Sequence, residues 1–219
     1  MALPVATVLS ALDDVLLDPT RVRWTVAERI RWMNEAMGAI LTRRPQAFAV
    51  RKVLTLVEGT RQEIPAGDSM LLDVVRNMAA DGTTPGKAIR RTDRQLLDDT
   101  DVDWHTGKKK AAAKHYTFDD RMPREFYVYP PLVAGVKVEA ICAALPAALA
   151  EDATGASLDI GAEYQEAVVN YAAYRCNTKD SEFASPAVAT AFYQAFEASL
   201  GIKTTTQAAA SPNQPGNSV

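Results

Sequence analysis

Residues 114–131 read KHYTFDDRMPREFYVYPP, and this stretch decides the predicted fold class of the chain. Aromatic residues alternate with polar ones on both sides of a polar middle: Tyr116 and Phe118 before it, Tyr127 and Tyr129 after it. A period of two indicates strands with two different faces. Residues 119–124 have turn chemistry, and Pro130 and Pro131 are expected to end the second strand because proline cannot donate to a β-ladder. The stretch therefore predicts an aromatic β-hairpin.

The N-terminal residues predict two helices. Apolar side chains in residues 4–17 recur at helical spacing, and Pro19 ends that pattern because proline disfavours helical geometry in the residue before it. Thr25 and Glu28 then form a capping-box pattern, in which each side chain satisfies a free N–H at the start of a helix. Pro45 is expected to close this second helix.

The C-terminal residues predict helices again. Residues 162–176, AEYQEAVVNYAAYRC, place aromatic and aliphatic side chains on one side of a helix. Ser185 and Pro186 are typical of the N-cap and first position of a last helix, which Gly201 is expected to end. The residues after Lys203 carry no charge and, before the final valine, no bulky apolar side chain, so they are not expected to order themselves.

Between these helices, residues 47–146 have the alternating, turn-rich composition of strands. Residues 69–79, SMLLDVVRNMA, fit either a helix or a strand. We therefore predict an α+β fold: a helical bundle formed by N- and C-terminal helices, with a central antiparallel β insertion that includes the aromatic hairpin. The predicted domains are an N-terminal helix pair (1–46), the β-rich insertion (47–146), a C-terminal helix pair (147–203) and an extended tail ordered by a partner (204–219).

Composition argues against several functional classes. A net charge of −3 gives no whole-protein attraction to nucleic acid or to an acidic membrane, and no apolar run approaches the roughly 20 residues that span a bilayer. The N-terminus lacks the basic region of a secretory signal, so we expect the protein to be made in a reducing cytoplasm. Cys142 and Cys176 are isolated and form no disulfide framework or zinc motif, so both are expected to be packing residues.

The chain carries no recognisable catalytic motif. Residues 82–88, GTTPGKA, are similar to a phosphate-binding loop, but three rather than four residues separate the glycines, and Ala88 stands where a metal-binding hydroxyl is required. His105 and His115 are the only histidines, and neither has a nucleophile at a motif distance. We therefore predict no catalytic residue, no metal and no cofactor.

Two charged clusters follow one another in the insertion. The acidic cluster is Asp98, Asp99, Asp101 and Asp103, and the basic cluster is Lys108, Lys109, Lys110 and Lys114. Carboxylates suit hard cations, so a metal-dependent hydrolase that uses the acidic cluster with His105 is one hypothesis. The spacing lacks the central glycine and terminal glutamate of a calcium loop, which favours a solvated loop or an intersubunit charge patch.

A nucleic-acid-binding module is the other alternative. It would use the basic cluster together with the arginines of the 21–44 region: Arg21, Arg23, Arg29, Arg31, Arg43 and Arg44. Such side chains can contact phosphates, but no aromatic interleaving or nucleic-acid-binding motif accompanies them. Arg29 and Arg31 alternate with the apolar residues of the predicted second helix, so both are expected on a solvent-exposed or intersubunit face of it.

The order of these segments resembles the tailed-phage head-to-tail adaptor (connector) family, of the tail tubular protein A type found in short-tailed phages. The resemblance runs from about Thr7 to Lys203. It lies in the combination of DWH at residues 103–105, HYTFDDRMPREFYVYPP at residues 115–131 and YRCNTKDSEFA at residues 174–184.

The resemblance implies a non-enzymatic virion protein of the phage neck, made in the bacterial host cytoplasm. Such adaptors form a ring, usually dodecameric, beneath the portal protein. The ring receives a tail nozzle of the tail tubular protein B type, and in short-tailed phages it can carry tail fibres. Genomic DNA passes through the channel of such a ring without sequence-specific binding. A net negative charge suits a channel wall that does not bind the DNA phosphates.

On this reading the hairpin is the expected contact arm of a ring subunit. Its interface candidates are Tyr116, Phe118, Asp119, Asp120, Arg121, Arg124, Phe126, Tyr127 and Tyr129. The acidic and basic clusters are expected to meet between neighbouring subunits, because a ring joins two different surfaces of each copy. The tail is expected to dock on the portal as an added extended segment, through Lys203, Thr204, Thr205, Gln207, Pro212 and Pro215.

Overall fold

Two helices follow a short first strand, and their ends match the predicted caps. The computed structural model describes residues 2–179 and 182–201 in full, and the backbone of residues 202–210. Strand β1 is Ala2–Pro4, helix α1 is Val5–Leu16 and helix α2 is Val26–Arg43. The capping box is confirmed, because the Thr25 hydroxyl accepts from the Glu28 N–H and the Glu28 carboxylate accepts from the Thr25 N–H at 3.0 Å.

The central residues form two four-stranded sheets. Their elements are β2 (Ala49–Thr55), β3 (Gly59–Glu63), β4 (Asp68–Met78), β5 (Pro85–Ala88), β6 (Arg90–Arg91), α3 (Arg94–Thr100), β7 (His115–Thr117), β8 (Glu125–Leu132) and β9 (Lys137–Ala144). One sheet has the order β2-β9-β4-β5 and the other has the order β3-β8-β7-β6. All neighbouring strands are antiparallel except β6 and β7, so the predicted antiparallel insertion is confirmed with one parallel exception.

The ambiguous residues 69–79 belong to strand β4. Its buried positions recur every third residue, as on a helix, although the backbone is extended. The register against β9 shifts three times, between Asp68 and Met70, Leu71 and Asp73, and Val74 and Arg76. Each irregularity changes which side chains face the core. The sequence pattern was therefore ambiguous because the strand is bulged.

The aromatic hairpin is confirmed, with one correction. Strands β7 and β8 pair antiparallel, with Tyr116 opposite Val128. The prediction that Pro130 and Pro131 end the second strand is wrong, because β8 continues to Leu132. The ladder between β8 and β3 is irregular over this stretch, so neither proline has to donate a ladder hydrogen bond there.

Side chains from both sheets share one core. The first sheet contributes Leu71, Val74, Val138 and Cys142, and the second contributes Tyr116, Phe126, Val128 and Leu132. Burial raises the pKa of the Cys142 thiol to about 11. It also raises the pKa of Cys176, in the helical part of the chain, to about 12. Both thiols are buried, which agrees with a packing role.

The last strand and two further helices complete the chain. Strand β10, Ser157–Gly161, pairs antiparallel with β1, and a short turn leads to helix α4, Gln165–Thr178. Helix α5 is Pro186–Ala210. It passes through Gly201, so the predicted helix end there is wrong, and residues 204–210 are helical rather than extended. One glycine costs a helix about 1 kcal/mol, which does not by itself end it, and the following alanines and glutamine favour helix.

The chain divides into two compact units, residues 48–145 and residues 1–47 with 146–219. In the second of these units α4 packs against α1, α2 and α5, so the N- and C-terminal helices form one bundle, as predicted. The Trp24 indole N–H donates to the Cys176 carbonyl at 2.9 Å, which joins the start of α2 to the end of α4. Among the described residues, no helix has the length and apolar character needed to cross a bilayer.

Arg29 lies inside this bundle, although the sequence pattern predicted a wet face. Its side chain is 0% exposed, and its guanidinium donates to the carboxylates of Asp13 at 2.6 Å and Asp18 at 3.0 Å. It also donates to the carbonyls of Trp24 and Asp18. Arg31 is exposed as predicted and pairs with Glu151.

The two carboxylates around Arg29 are held ionised. The guanidinium of Arg21 is the main cause of the lowered pKa of Asp13, with Arg29 adding to it. Burial opposes ionisation of Asp18, but the backbone N–H groups of Trp24 and Val22 and the Arg29 guanidinium outweigh it, so the pKa of Asp18 is also lowered. Both carboxylates of the cluster are therefore negatively charged, and the positively charged Arg29 guanidinium donates four hydrogen bonds within it.

We predict that Arg29→Met destabilises the bundle by about 3–5 kcal/mol, because it leaves two carboxylates without their buried partner. Equilibrium urea unfolding followed by tryptophan fluorescence measures the change. Arg31→Met is the matched control, since it removes an arginine from an exposed pair on the same helix and is expected to leave the unfolding midpoint unchanged. Equal effects of the two substitutions would contradict the role of Arg29.

Acid is expected to weaken the same cluster. Asp13 and Asp18 have pKa values below 3.8 in the folded chain, so the stability they contribute is present above that pH and is lost as pH falls through their folded values. Urea midpoints measured from about pH 5 down to about pH 2.5 test this. Asp13→Asn is expected to lower stability at pH 5 and to flatten the acid dependence; an unchanged slope would contradict the assignment.

Candidate assembly interface

The hairpin presents its aromatic residues on two faces. Tyr116 and Phe126 are buried in the core of the subunit, and the Tyr116 hydroxyl donates to Asp73 at 2.6 Å. Burial, reinforced by Asp73, raises the pKa of Tyr116 well above its usual value. Tyr127 and Tyr129 are half-buried on the opposite face. Of these four interface candidates, Tyr116 and Phe126 are therefore core residues, and Tyr127 and Tyr129 are partly accessible to solvent.

The turn between β7 and β8 is held by its own charges. The Arg121 guanidinium binds the Asp119 carboxylate through two nitrogens, and this bond lowers the pKa of Asp119 to about 2. Arg121 is 88% exposed, and Asp120 beside it is exposed as well. Arg124 instead donates to the carbonyls of Asp68, Ile64 and Pro65. Arg124 thus ties the hairpin to its own subunit, while the tip residues remain accessible.

Trp104 anchors the loop that carries the acidic cluster. Its side chain is 1% exposed, and its ring lies edge-on to Tyr127 and Tyr129 at centroid distances of 6.1 and 6.4 Å. The indole N–H donates to Asp98 at 2.8 Å. His105 stacks on Trp104 at 3.7 Å, and its Nδ1 is 2.8 Å from the Thr60 hydroxyl. The sequence singled out DWH as a motif, but its role as an anchor emerges only from these contacts.

The acidic and basic clusters lie in neighbouring segments of the chain. Asp98 and Asp99 lie in α3, and Asp101 and Asp103 follow it; the Arg94 guanidinium at the start of α3 lies over the Tyr127 ring, near the start of β8. In the basic cluster, the Lys110 N–H donates to the Pro131 carbonyl at 2.8 Å and the Lys114 N–H donates to the Tyr129 carbonyl at 2.7 Å. Lys109 pairs with Glu58, and in the described part of the chain no ion pair joins the two clusters. Each cluster is therefore largely exposed to solvent within the single subunit.

A cleft of about 750 Å³ opens beside the hairpin tip. Its lining includes Arg91, Arg94, Phe118, Asp119, Arg121 and Tyr127. The Arg91 guanidinium lies over the Phe118 ring at 4.6 Å, and the Arg94 guanidinium lies over the Tyr127 ring at 5.8 Å. Sequence reasoning missed both arginines, although the RRTDR stretch at residues 90–94 was a visible signal. This mixed lining of charges and aromatic rings suits protein contact.

The structure also shows the surroundings of the residues named in the two alternative hypotheses. Asp98 and His105 are engaged by Trp104 and Thr60, and the described residues contain no group of three or more His, Cys, Asp or Glu side chains placed to hold a metal ion. The arginines of the nucleic-acid hypothesis are mostly occupied: Arg21, Arg29, Arg31 and Arg43 form ion pairs, and Arg23 lies over Phe183. Of these arginines, Arg29 is fully buried, whereas Arg31 keeps 57% of its side chain exposed.

The portal-docking candidates of the tail lie in part within helix α5. The chain is helical from Pro186 through Lys203, Thr204, Thr205 and Gln207 to Ala210. Pro212 and Pro215 lie outside the described residues.

Loss of the Asp98 carboxylate is expected to loosen the Trp104 anchor. Asp98→Ala leaves the buried indole N–H without an acceptor, which costs about 1–3 kcal/mol. Asp99→Ala, which changes the exposed neighbour, is the matched control and is expected to have little effect. Thermal unfolding followed by near-ultraviolet circular dichroism reports both stability and the packing of Trp104. Equal losses in the two variants would argue against the anchor.

The family comparison agrees with this geometry. No curated protein matches the chain in sequence. The family model described as SU10 adaptor protein matches residues 4–216, which is nearly the whole chain. Family membership implies a structural rather than an enzymatic role and the location of a phage virion protein. The chain therefore belongs to the SU10 adaptor protein family of phage head-to-tail adaptors.

Proposed function

We propose that this chain assembles as a ring, dodecameric as is usual for head-to-tail adaptors, between the portal and the tail nozzle and continues the DNA channel between them. The observation that carries the proposal is the family match over residues 4–216. The exposed, oppositely charged clusters of the single subunit support it, because a closed ring joins two different surfaces of each copy.

The acidic and basic clusters form the proposed contact between neighbouring subunits. Asp99, Asp101 and Asp103 are exposed beside α3, and Lys108, Lys110 and Lys114 are exposed along the far part of the hairpin. Charges of one sign on each surface attract the opposite surface of a neighbour and repel the same one, which disfavours any contact in which a cluster faces its own copy.

The hairpin tip forms the proposed contact with the next component of the neck. Phe118, Asp119, Asp120, Arg121, Tyr127 and Tyr129 are the candidates that remain accessible in whole or in part. Tyr116, Phe126 and Arg124 support this surface from within the subunit rather than touching a partner. Mixed aromatic and charged side chains around a cleft resemble the composition of protein interfaces, in which tyrosine and arginine are enriched.

The C-terminal segment is the proposed portal contact. Because α5 continues to Ala210, residues 203–207 would meet the portal as a helix rather than as an added strand. Tail fibres, where present, would bind the outer surface of the ring. DNA would pass through the channel without sequence-specific contact, since the net charge of −3 gives the wall little attraction for phosphate.

Assembly with and without portal rings tests the function. Mass photometry of the purified chain mixed with portal protein is expected to show a ring-sized complex. The double variant Asp101→Lys/Asp103→Lys is expected to weaken assembly at least about tenfold, and the further changes Lys108→Asp/Lys110→Asp are expected to restore part of it. Asp152→Lys, a charge reversal at an exposed residue of the other unit of the chain, is the control.

A chain that stays monomeric in the presence of portal would contradict the ring. Salt-dependent binding to duplex DNA by the folded monomer would instead favour the nucleic-acid alternative, because phosphate contacts release counterions.

A further inference from the structure

Strand β2 is a regular edge strand, and no strand among the described residues pairs with its outer side. In the sheet order β2-β9-β4-β5, it pairs only with β9. The pairing runs through seven consecutive residue pairs, from Ala49 opposite Ala143 to Thr55 opposite Lys137, without a register shift. An edge of this length presents a row of backbone donors and acceptors that another strand can bind.

The backbone groups that point outward can be identified from the alternation of the ladder. The Leu56 N–H donates to the Val136 carbonyl at 2.8 Å, just beyond the end of β2. In an antiparallel pair, alternate residues direct their N–H and C=O groups to the partner strand. Leu54, Lys52 and Val50 therefore face β9, whereas Ala49, Arg51, Val53 and Thr55 direct their backbone groups toward the open edge.

Apart from the exposed charge of Arg51, the features that usually protect an edge strand are missing from β2. It contains no proline and no bulge, and its lysine is turned inward, with the Lys52 ammonium 2.6 Å from the buried carboxylate of Asp68. Val50 and Val53 are each 43% exposed. The opposite edge of the same sheet, β5, has four residues, begins with Pro85 and shifts register against β4. The β5 edge of the sheet is therefore protected against pairing with another strand, whereas the β2 edge is open.

The helical unit carries a strand of complementary charge. Strand β10 pairs only with β1, so it too has an outer side without a partner strand. Along β10, the exposed Asp159 stands between the buried residues Leu158 and Ile160. On β2, the Arg51 side chain is 66% exposed. Its guanidinium Nε lies 3.6 Å from the Glu139 carboxylate, which is longer than the other pairs of the sheet such as Lys52–Asp68 at 2.6 Å. An acidic open strand and a basic open strand thus occur on the same chain.

We propose that the open edge of β2 binds strand β10 of the neighbouring copy, with Asp159 of that copy beside Arg51. Backbone hydrogen bonds supply the affinity and the charge pair sets the register, as in recognition by strand addition. The two strands belong to different units of the chain, so the contact joins two different surfaces and can repeat around a ring. The inference rests on the ring proposed above and names a second contact within it.

Removal of one outward-pointing N–H of β2 tests whether this edge pairs with another strand. Val53→Pro deletes a donor that makes no bond within the sheet, and proline is tolerated at such edge positions. The folded subunit is expected to survive, with an unchanged circular dichroism spectrum, while the concentration needed for half-assembly on portal rings rises about tenfold. Val53→Ala is the matched control, because it shortens the side chain but keeps the N–H.

A charge swap tests the partner strand. Arg51→Asp and Asp159→Arg are each expected to weaken assembly severalfold, and the combination of both in one chain is expected to recover it. The remote control is again Asp152→Lys. If Val53→Pro proves to be unfolded, the swap alone decides the question. Because Arg51 also lies 3.6 Å from the Glu139 carboxylate of its own subunit, circular dichroism of each charge variant checks that the subunit is still folded.

The outcomes separate this inference from the proposed function. A wild-type chain that forms no ring contradicts the function itself. A wild-type ring that is unaffected by Val53→Pro and by both single charge changes overturns the strand pairing and leaves the ring intact. Single charge changes that weaken assembly without recovery in the double variant also overturn it, because the two residues then do not face each other.

Discussion

The buried guanidinium of Arg29 is the interaction on which the helical unit depends. A charge without solvent contact is tolerated only when hydrogen bonds replace its hydration. Arg29 obtains them from Asp13 on α1, from Asp18 and Trp24 in the following loop, and thereby fixes how α1 meets α2. Trp24, positioned by the same cluster, then bonds to the end of α4. Arg29 thus adds a hydrogen-bonded link, through Trp24, to the packing of the N- and C-terminal helices.

Trp104 has the corresponding role in the β unit. A loop rich in aspartate and lysine has little apolar surface of its own, so it would not stay ordered without an anchor. Trp104 supplies that anchor by packing against Tyr127 and Tyr129. Its indole N–H also donates a hydrogen bond to Asp98, one member of the acidic cluster. The remaining carboxylates and most of the lysines are left exposed. The proposed contact between the charged clusters of neighbouring subunits would therefore depend on one buried aromatic residue.

Local sequence signals predicted the main elements. The capping box at Thr25 and the alternation in residues 114–131 both depend on neighbouring residues, and both are present in the structure. The failures have nonlocal causes. Gly201 permits a helix end but does not impose one, and Pro130 and Pro131 stay within β8 because its ladder with β3 is irregular there. For the site, the exposed clusters were predicted, whereas Arg91, Arg94 and the anchor role of Trp104 were missed because ring contacts across strands leave no sequence pattern.

The sequence by itself determined the α+β order, the helix starts, the hairpin and the family resemblance, because each depends on residues that are close along the chain. Only the tertiary structure decided which charged residues are buried and which are free. Arg29 and Arg31 are two residues apart with similar surroundings in sequence, yet one is enclosed by two carboxylates and the other lies in solvent. Burial is set by residues that approach from other elements, so a sequence pattern gives the face of a helix but not the partner that covers it.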